Sequence, residues 1–191
     1  MPNLFIIAGC NGAGKTTASY TVLPEMLNCK EFVNADEIAK GISPFQPERA
    51  AIDAGKIMLT RIQELINAEV DFSFETTLSP KYFITLISKV HEKGYFVTLV
   101  FFWLRSVDLA IERVKMRVSE GGHNIPEDTV RRRYKMGIKN LVNKYIPVSD
   151  YWIIINNSEG PFTVVAEGLK NIEIEIKDIA TWNKIKAQAD E

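Results

Sequence analysis

Residues 9–17 carry the clearest chemical signal, because they match the pattern G-x-x-x-x-G-K-[ST] of a phosphate-binding loop. The glycines allow the backbone to wrap closely around an anion, so that successive N–H groups point inward. The positive end of the following helix dipole adds to this attraction. We therefore expect a nucleotide to be bound by Gly9, Cys10, Asn11, Gly12, Ala13, Gly14, Lys15, Thr16 and Thr17.

Two side chains of this loop have separate predicted tasks. Lys15 supplies a full positive charge to the β- and γ-phosphates, and the Thr16 hydroxyl is a ligand for Mg²⁺. We accordingly predict ATP and Mg²⁺ as cofactors, with Lys15 also acting in catalysis. The alternative is a glycine-rich turn with a solvated lysine. It is disfavoured because an apolar run of strand length, residues 4–8, directly precedes the loop.

Two acidic residues stand at the carboxyl ends of predicted strands: Asp36 ends the strand at residues 31–36, and Glu75 follows the strand at residues 70–74. Ligands bind at the carboxyl ends of the strands in a parallel sheet. Asp36 and Glu75 are therefore candidates for a catalytic base and for metal or substrate orientation. The alternatives are that Asp36 caps a short helix and that Glu75 is an ordinary turn acid. Asp71 lies at the opposite end of its strand and is not a candidate.

Arginines on two predicted helices form a second candidate cluster, with a glycine pair, Gly121 and Gly122, between the helices. Phosphoryl transfer needs cations where charge develops, and a hinged segment can deliver them. His123, beside the hinge, is a weaker candidate for phosphate contact. The alternative for the whole cluster is a solvated basic face. The arginines are Arg113, Arg117, Arg131, Arg132 and Arg133.

Helical phase separates the three adjacent arginines. At about 100° per residue, Arg133 lies about 60° from the buried position Val130 and is the most inward of the three. Arg132 points away from the apolar stripe, and Arg131 is intermediate. We select Arg117 and Arg133 as catalytic candidates and expect Arg132 to be solvated.

Predicted strands alternate with predicted helices along the chain, which favours a parallel sheet with right-handed crossovers. The strands fall at residues 4–8, 31–36, 70–74, 95–104 and 151–155. The helices fall at residues 16–27, 48–69 and 80–93, and from residues 106 and 126 onward, with a loop at 41–47. A terminal hairpin, residues 162–167 with 172–176, and a closing helix, residues 179–189, complete the prediction.

These elements predict one α/β domain of the P-loop NTPase class, kinase-like, over residues 1–191. Its five-stranded parallel sheet is flanked by helices. We place a helical arginine lid at about residues 105–145 and a C-terminal extension at about residues 160–191.

Composition narrows the expected partners. The chain has 191 residues, 46% of them hydrophobic, and a net charge of −1, which does not indicate nucleic-acid or membrane binding. No run approaches membrane-spanning length, and no signal peptide is recognisable. Cys10 and Cys29 are typical of free thiols in a reducing compartment. We therefore expect a cytoplasmic protein that acts on a small-molecule acceptor.

Two large classes of P-loop protein are disfavoured by missing motifs. The loop wording resembles that of ABC transporter ATPases, but the chain has no L-S-G-G-Q signature and no apolar strand that ends in Asp-Glu. A GTPase would carry N-K-x-D after a strand. Residues 143–146 fail at the fourth position of that motif and fall within a helix pattern. A small-molecule kinase fits the remaining features better.

With these motifs in view, the chain resembles the zeta toxin family over about residues 4–158. The resemblance is nearest to the stand-alone branch loosely called predicted ABC-type ATPases. It implies an ATP-dependent kinase of UDP-N-acetylglucosamine that is restrained by an antitoxin partner. The residues that carry it are the phosphate loop, Asn34-Ala35-Asp36, Glu75-Thr76-Thr77, Arg117 to His123 and Arg131 to Tyr134.

The resemblance also implies roles for single residues. Asp36 would be the base for the sugar hydroxyl, Glu75 would help to bind substrate, and Arg117 with one arginine of 131–133 would clamp the transferring phosphate. The usual Arg after the strand-end Asp is missing here, although Lys40 or Lys81 could replace it. Three alternatives remain: another small-molecule acceptor, a nucleic-acid end, or a nucleotide-binding interaction module without turnover.

Overall fold

The computed structural model describes residues 1–21, 24–25, 27–122, 124–170, 172 and 174–190. Its strands form one sheet in the order β2-β3-β1-β4-β5-β6-β7. The strands β1 to β5 are parallel, and β6 and β7 are antiparallel. Their bounds are β1 Asn3–Gly9, β2 Phe32–Val33, β3 Phe72–Thr76, β4 Phe96–Trp103, β5 Tyr151–Asn156, β6 Thr163–Leu169 and β7 Ile174–Ile176.

The predicted parallel sheet is confirmed, but the sheet has seven strands where five were predicted. The tail hairpin, β6 and β7, extends the sheet beyond β5 instead of standing apart from it. The central strands β1 and β4 are almost wholly buried, as their unbroken apolar sequence requires. Strand β1 lies between β3 and β4, so the phosphate loop that follows β1 emerges from the middle of the sheet.

Helices pack on the sheet, and the chain contains no described helix long and apolar enough to cross a membrane. Residues 22, 23 and 26 of the predicted first helix lie outside the described residues. Short 3-10 or π turns occur at Pro47–Ala50, Leu141–Tyr145 and Ile146–Val148. The helices are α1 Lys15–Thr21, α2 Ala35–Ile42, α3 Ala51–Asn67, α4 Tyr82–Glu92, α5 Val107–Ser119, α6 Glu127–Asn140 and α7 Ile179–Asp190.

Helix α2 begins earlier than the sequence pattern indicates, and the preceding strand is correspondingly short. Asn34 is its N-cap: the side-chain oxygen accepts hydrogen bonds from the backbone N–H groups of Asp36 (2.8 Å) and Glu37 (3.4 Å). This bonding satisfies N–H groups that the first turn leaves without helical partners. The predicted strand at 31–36 therefore ends at Val33, and part of the predicted loop is helical.

Helix α6 is tied to the sheet and to the C-terminal helix. The Tyr134 hydroxyl donates to the carbonyl oxygen of Leu104 (2.7 Å), just past β4. Gln188 of α7 donates to that same hydroxyl (3.2 Å) and accepts from the Trp103 indole (3.0 Å). These contacts place the predicted arginine helix directly over the carboxyl end of the sheet.

Candidate functional site

The phosphate loop has the backbone conformation that its glycines suggest. Gly9, Gly12 and Gly14 have φ of 143°, 79° and 84°, a range that other residues rarely adopt. A Cβ on Gly9 would also lie 2.4 Å from the Phe102 carbonyl oxygen of β4. The loop is therefore pressed against the sheet, and α1 begins at Lys15 immediately behind it.

Lys15 and Thr16 both reach the carboxylate of Glu75. The Lys15 ammonium donates to the Cys10 carbonyl oxygen (2.9 Å) and lies 3.3 Å from Glu75 Oε1. The Thr16 hydroxyl donates to Glu75 Oε2 (2.7 Å). The side chains of Lys15 and Glu75 are only 5% and 10% exposed, so water screens this pair weakly.

The placement of Glu75 follows from strand register. Glu75 lies opposite Ile7 in the parallel pair of β1 and β3, one strand from the phosphate loop. Its carboxylate and the Thr16 hydroxyl form a pair of hard oxygen donors, which suits Mg²⁺ because that ion needs few protein ligands beside phosphates. Among the described residues, no group of three or more His, Cys, Asp or Glu forms a self-sufficient metal site.

Asp36 lies neither at a strand end nor at a helix cap, so both sequence interpretations of its position are wrong. It is in the first turn of α2, two residues beyond the cap Asn34, and is partly buried. Its backbone N–H is fixed by Asn34, and the residue lines a cavity. The predicted nearness to the nucleotide side still holds, because that cavity also includes Asn11 of the phosphate loop.

The helical-phase prediction is confirmed for the inward Arg133 and the solvated Arg132, whereas Arg131 was predicted to be intermediate and is exposed. Arg133 is partly buried and donates to Asn11 Oδ1 (3.1 Å), whereas Arg132 is exposed. Arg131 is also exposed and pairs with Asp108 at the start of α5 (3.2 Å). Burial lowers the pKa of the Arg133 guanidinium, and the nearby Asp36 carboxylate partly opposes this shift.

A cavity of about 360 Å³ lies between α2, α3, α4 and the phosphate loop. Its polar residues include Asn11, Asn34, Asp36, Glu75, Thr76, Thr77 and Arg133. Its apolar walls include Met58, Leu59, Pro80 and Phe83. A larger groove of about 760 Å³ follows β2 but includes no residue of the phosphate loop, so the smaller cavity is the candidate acceptor site.

Gly55 opens the acceptor cavity from the α3 side. A glycine inside a helix suggests either close packing against a neighbour or space for an extended ligand beside the backbone, and the structure contradicts only the first. A Cβ at Gly55 would meet nothing within 4 Å, and the residue lines the cavity. The absence of a side chain at Gly55 therefore enlarges the cavity and does not serve close packing against another helix.

Helix α6 and the turn after it hold the loop that forms the far wall of the cavity. Asn140 donates to the Leu78 and Ser79 carbonyl oxygens (2.7 and 3.3 Å), and Tyr145 donates to that of Pro80 (2.8 Å). Leu78 has φ of 55°, a conformation that costs energy without glycine. The helix that carries Arg133 thus also fixes the acceptor wall.

Residues 1–159 match the family model of the zeta toxins. The chain belongs to the zeta toxin family. An uncharacterized protein of Haemophilus influenzae is 34% identical over 127 residues, which cover 66% of this chain and 88% of that protein. The family resemblance drawn from the motifs is therefore confirmed.

Two solved structures share the zeta toxin fold at low identity. A chain of the AvrRxo1-ORF1:AvrRxo1-ORF2 complex with sulphate ions superposes with a TM-score of 0.80 at 17% identity over 98% of this chain. The present chain spans 64% of the length of that relative. The PezAT toxin-antitoxin system of Streptococcus pneumoniae gives a TM-score of 0.64 at 14% identity, covering 100% of this chain and 86% of that one.

Arg117, predicted to act on phosphate, lies in the last turn of α5, beside the glycine hinge of this zeta toxin family member. Gly122 N–H donates to the Arg117 carbonyl oxygen (2.8 Å), and a Cβ on Gly122 would lie 2.6 Å from Arg117 Cγ. Of the two selected arginines, only Arg133 lines the described part of the acceptor cavity. His123 lies outside the described residues.

Two further residues contact the phosphate loop: Arg113, which sequence reasoning placed in the arginine cluster but did not select, and Asn157, which it missed. Arg113 packs against Gly12, since a Cβ added to Gly12 would lie 3.2 Å from Arg113 Cβ. The Arg113 guanidinium also donates to the Ser158 carbonyl oxygen (3.1 Å). Asn157 donates to the Ala13 carbonyl oxygen (2.8 Å). The position of Asn157 just after the apolar strand β5 is the sequence signal that could have identified it.

The loop cysteine is part of the buried frame of the site. Burial raises the pKa of the Cys10 thiol to about 11, although the positive charges of Lys15 and Arg113 oppose this shift. The thiol is therefore neutral near pH 7 and is a poor nucleophile. Its contribution to the loop is its carbonyl oxygen, which holds Lys15.

Proposed function

We propose that this protein transfers the γ-phosphoryl group of ATP to a hydroxyl group of a small molecule. One observation carries the proposal: Asp36 and Arg133 line a single cavity that reaches Asn11 of the phosphate loop. A base, a cation and a phosphate cradle thus surround the same space. Phosphoryl transfer requires little more from a protein than this positioning and charge stabilisation.

On the donor side, the loop N–H groups and Lys15 bind the phosphates of ATP. Thr16 and Glu75 are the residues that would hold Mg²⁺, which when bound neutralises charge on the β- and γ-phosphates. Glu75 also holds Lys15 and Thr16 in place through its two carboxylate oxygens. This position next to the donor differs from the substrate-binding role that the family resemblance implies for Glu75.

On the acceptor side, Asp36 accepts the proton of the attacking hydroxyl. The hydroxyl oxygen forms a bond to the γ-phosphorus, the bond from that phosphorus to the bridging oxygen breaks, and ADP leaves. Arg133 stabilises the negative charge that develops on the transferring group, since its guanidinium already contacts the phosphate loop at Asn11. The partial burial of Arg133 strengthens this electrostatic effect.

Similar proteins support ATP as donor and a protein as partner. One structure of the AvrRxo1-ORF1:-ORF2 complex was solved with ATP, and PezAT is described as a toxin-antitoxin system. By analogy, we propose ATP as the phosphate donor and an antitoxin as a binding partner of this chain. The analogy rests on fold and family, so the acceptor needs a test of its own.

The first acceptor to test is UDP-N-acetylglucosamine, as family membership suggests. The cavity offers Asp36 and other polar groups for sugar hydroxyls. Lys81 lies between the cavity residues Pro80 and Tyr82, where its charge suits a diphosphate. Lys40 is a poorer candidate because it pairs with Glu37 (2.6 Å).

The test is incubation with Mg-ATP and UDP-N-acetylglucosamine, followed by mass spectrometry of the small molecules. We expect a product heavier by one phosphate, together with ADP, and neither in the Asp36→Asn variant. Phosphorylation of a different hydroxyl compound would retain the kinase and reject this acceptor. ATP binding without ADP from any acceptor would indicate an interaction module instead.

A further inference from the structure

Asn34 lies between the two acids of the site, Glu75 and Asp36, and its side chain forms a hydrogen bond with each residue. Its side-chain Nδ2 donates to Glu75 Oε2 (2.8 Å), and its Oδ1 accepts from the backbone N–H of Asp36 (2.8 Å). The residue is only 5% exposed, so these bonds face little competition from water. One amide thus joins the acid beside Thr16 to the helix turn that carries Asp36.

We propose that Asn34 is a positioning residue that couples the nucleotide side of the site to the acceptor side. This inference rests on the proposed kinase function and adds a role that the phosphate loop does not provide. Through Nδ2, Asn34 fixes the direction of the Glu75 carboxylate, which in turn contacts Lys15 and Thr16. Through Oδ1, it fixes the first turn of α2 and therefore Asp36.

The coupling role requires an amide, whereas capping alone does not. Asp and Ser cap helices about as well as Asn, since each offers an oxygen to the N–H groups of the first turn. An ionised Asp has no donor for Glu75, and the short Ser side chain cannot reach both partners. Capping alone therefore predicts that Asp replaces Asn34 without loss, and coupling predicts that it does not.

Asn34→Asp also places a second carboxylate beside Glu75 Oε2, where it repels that oxygen instead of donating to it. The variant therefore keeps the cap of α2 and removes the bond that directs Glu75.

The experiment compares Asn34→Asp and Asn34→Ser with Ser106→Ala, which removes the cap of α5 (Ser106 Oγ to Leu109 N, 3.2 Å) away from the acids. For each variant, the melting temperature, the kcat for the phosphorylated acceptor and the Mg-ATP affinity are measured, the last by calorimetric titration. The affinity needs binding only, so it remains informative if no acceptor is found.

We expect Asn34→Asp to melt near the wild-type temperature and to lower kcat at neutral pH by about 10–100-fold, the usual effect of a supporting contact. Its Mg-ATP affinity should fall as well, because the Glu75 carboxylate that contacts Lys15 and Thr16 loses its amide donor. Asn34→Ser should lower kcat and Mg-ATP affinity in the same way. Ser106→Ala should lower the melting temperature and leave kcat unchanged.

Wild-type kcat and Mg-ATP affinity in Asn34→Asp and Asn34→Ser would overturn the coupling and leave Asn34 as a cap. Wild-type protein that binds Mg-ATP but phosphorylates no acceptor would reject the proposed function, while the Mg-ATP affinities of the Asn34 variants would still decide the coupling. Wild-type protein that does not bind Mg-ATP would overturn both proposals.

Discussion

The donor and acceptor sides of the site are built in different ways. On the donor side, Lys15 and Thr16 follow one another in sequence and are held by short bonds to Glu75 and to the loop itself. On the acceptor side, Asp36, Gly55 and Arg133 come from three separate helices. One side is thus a local, buried network, and the other is a cavity assembled by tertiary packing.

This difference determines how each side should respond to mutation. A buried ion pair depends on both partners, so removing one leaves the other uncompensated. The cavity walls are apolar and partly open, so changes there should alter acceptor binding more than the fold. Substitutions on the two sides should therefore separate ATP affinity, turnover and acceptor affinity.

The largest effect is expected for Lys15→Ala. The variant removes the charge that faces the phosphates and leaves the buried Glu75 carboxylate without its cation. ATP affinity should fall by about 10–100-fold or more, the cost of losing a charged hydrogen bond, and turnover should be lost with it. Calorimetric titration with Mg-ATP measures the affinity. Lys56→Ala, which breaks only an exposed pair with Asp53, is the control, and equal affinity in both variants would remove the donor-site assignment.

Asp36→Asn should separate the two sides most clearly. We expect ATP affinity to persist and kcat to fall by ~10²–10⁴, the usual contribution of a general base. Steady-state ADP release with a confirmed acceptor measures this. Glu37→Gln is the matched control, because Glu37 is the next residue of the same helix turn and pairs with Lys40 (2.6 Å). Loss of ATP binding in Asp36→Asn would show that the residue supports the fold of the donor side instead.

The donor side could be predicted almost completely from sequence, because its motif is local. The spacing of the loop glycines and of Lys15 and Thr16 determines both conformation and contacts. Even so, the bond from Thr16 to Glu75 depends on the register of β1 and β3, which no spacing along the chain encodes. The sequence therefore identified Glu75 as a candidate but did not predict its contacts with Lys15 and Thr16.

The acceptor side could be predicted only in part. Helical phase identified Arg133, since burial of Val130 and Tyr134 fixes the orientation of α6. For Gly55 the sequence left open packing or ligand contact, because it does not show whether a helix face meets a neighbour or a cavity. Arg113 was named but not selected, and Asn157 was missed, because their contacts with the phosphate loop join residues far apart in the chain.

A smaller effect than that of Asp36 is expected for Arg133→Ala. The guanidinium contacts Asn11, so its loss should lower kcat by about 10²–10³, as for other preorganised donors, with little change in ATP affinity. Arg132→Ala is the matched control, since its exposed side chain lies one position away on the same helix. Rate measurements at saturating ATP distinguish the two. Similar losses in both variants would indicate a diffuse basic patch.

The smallest effects, and the sharpest contrast within the acceptor side, should come from two glycine substitutions. Gly137→Ala would place a Cβ 2.6 Å from the Thr77 carbonyl oxygen, so α6 must move away from the acceptor wall. Overpacking of this kind costs about 1–3 kcal/mol. Gly55→Ala meets no atom within 4 Å and should instead stabilise α3 by about 0.5–1 kcal/mol, because alanine favours the helix.

Thermal unfolding and acceptor kinetics together test this contrast. Gly137→Ala should lower the melting temperature by several degrees, at about 2–4 °C per kcal/mol for a chain of this size, and should raise the acceptor KM as the wall shifts. Gly55→Ala should raise the melting temperature and also raise the acceptor KM, since its methyl group enters the cavity. If the two variants change the melting temperature in opposite directions but both raise the acceptor KM, the acceptor lies against both α3 and α6. An unchanged KM in Gly55→Ala would mean that the acceptor binds away from α3, nearer to the Asp36 and Arg133 side of the cavity.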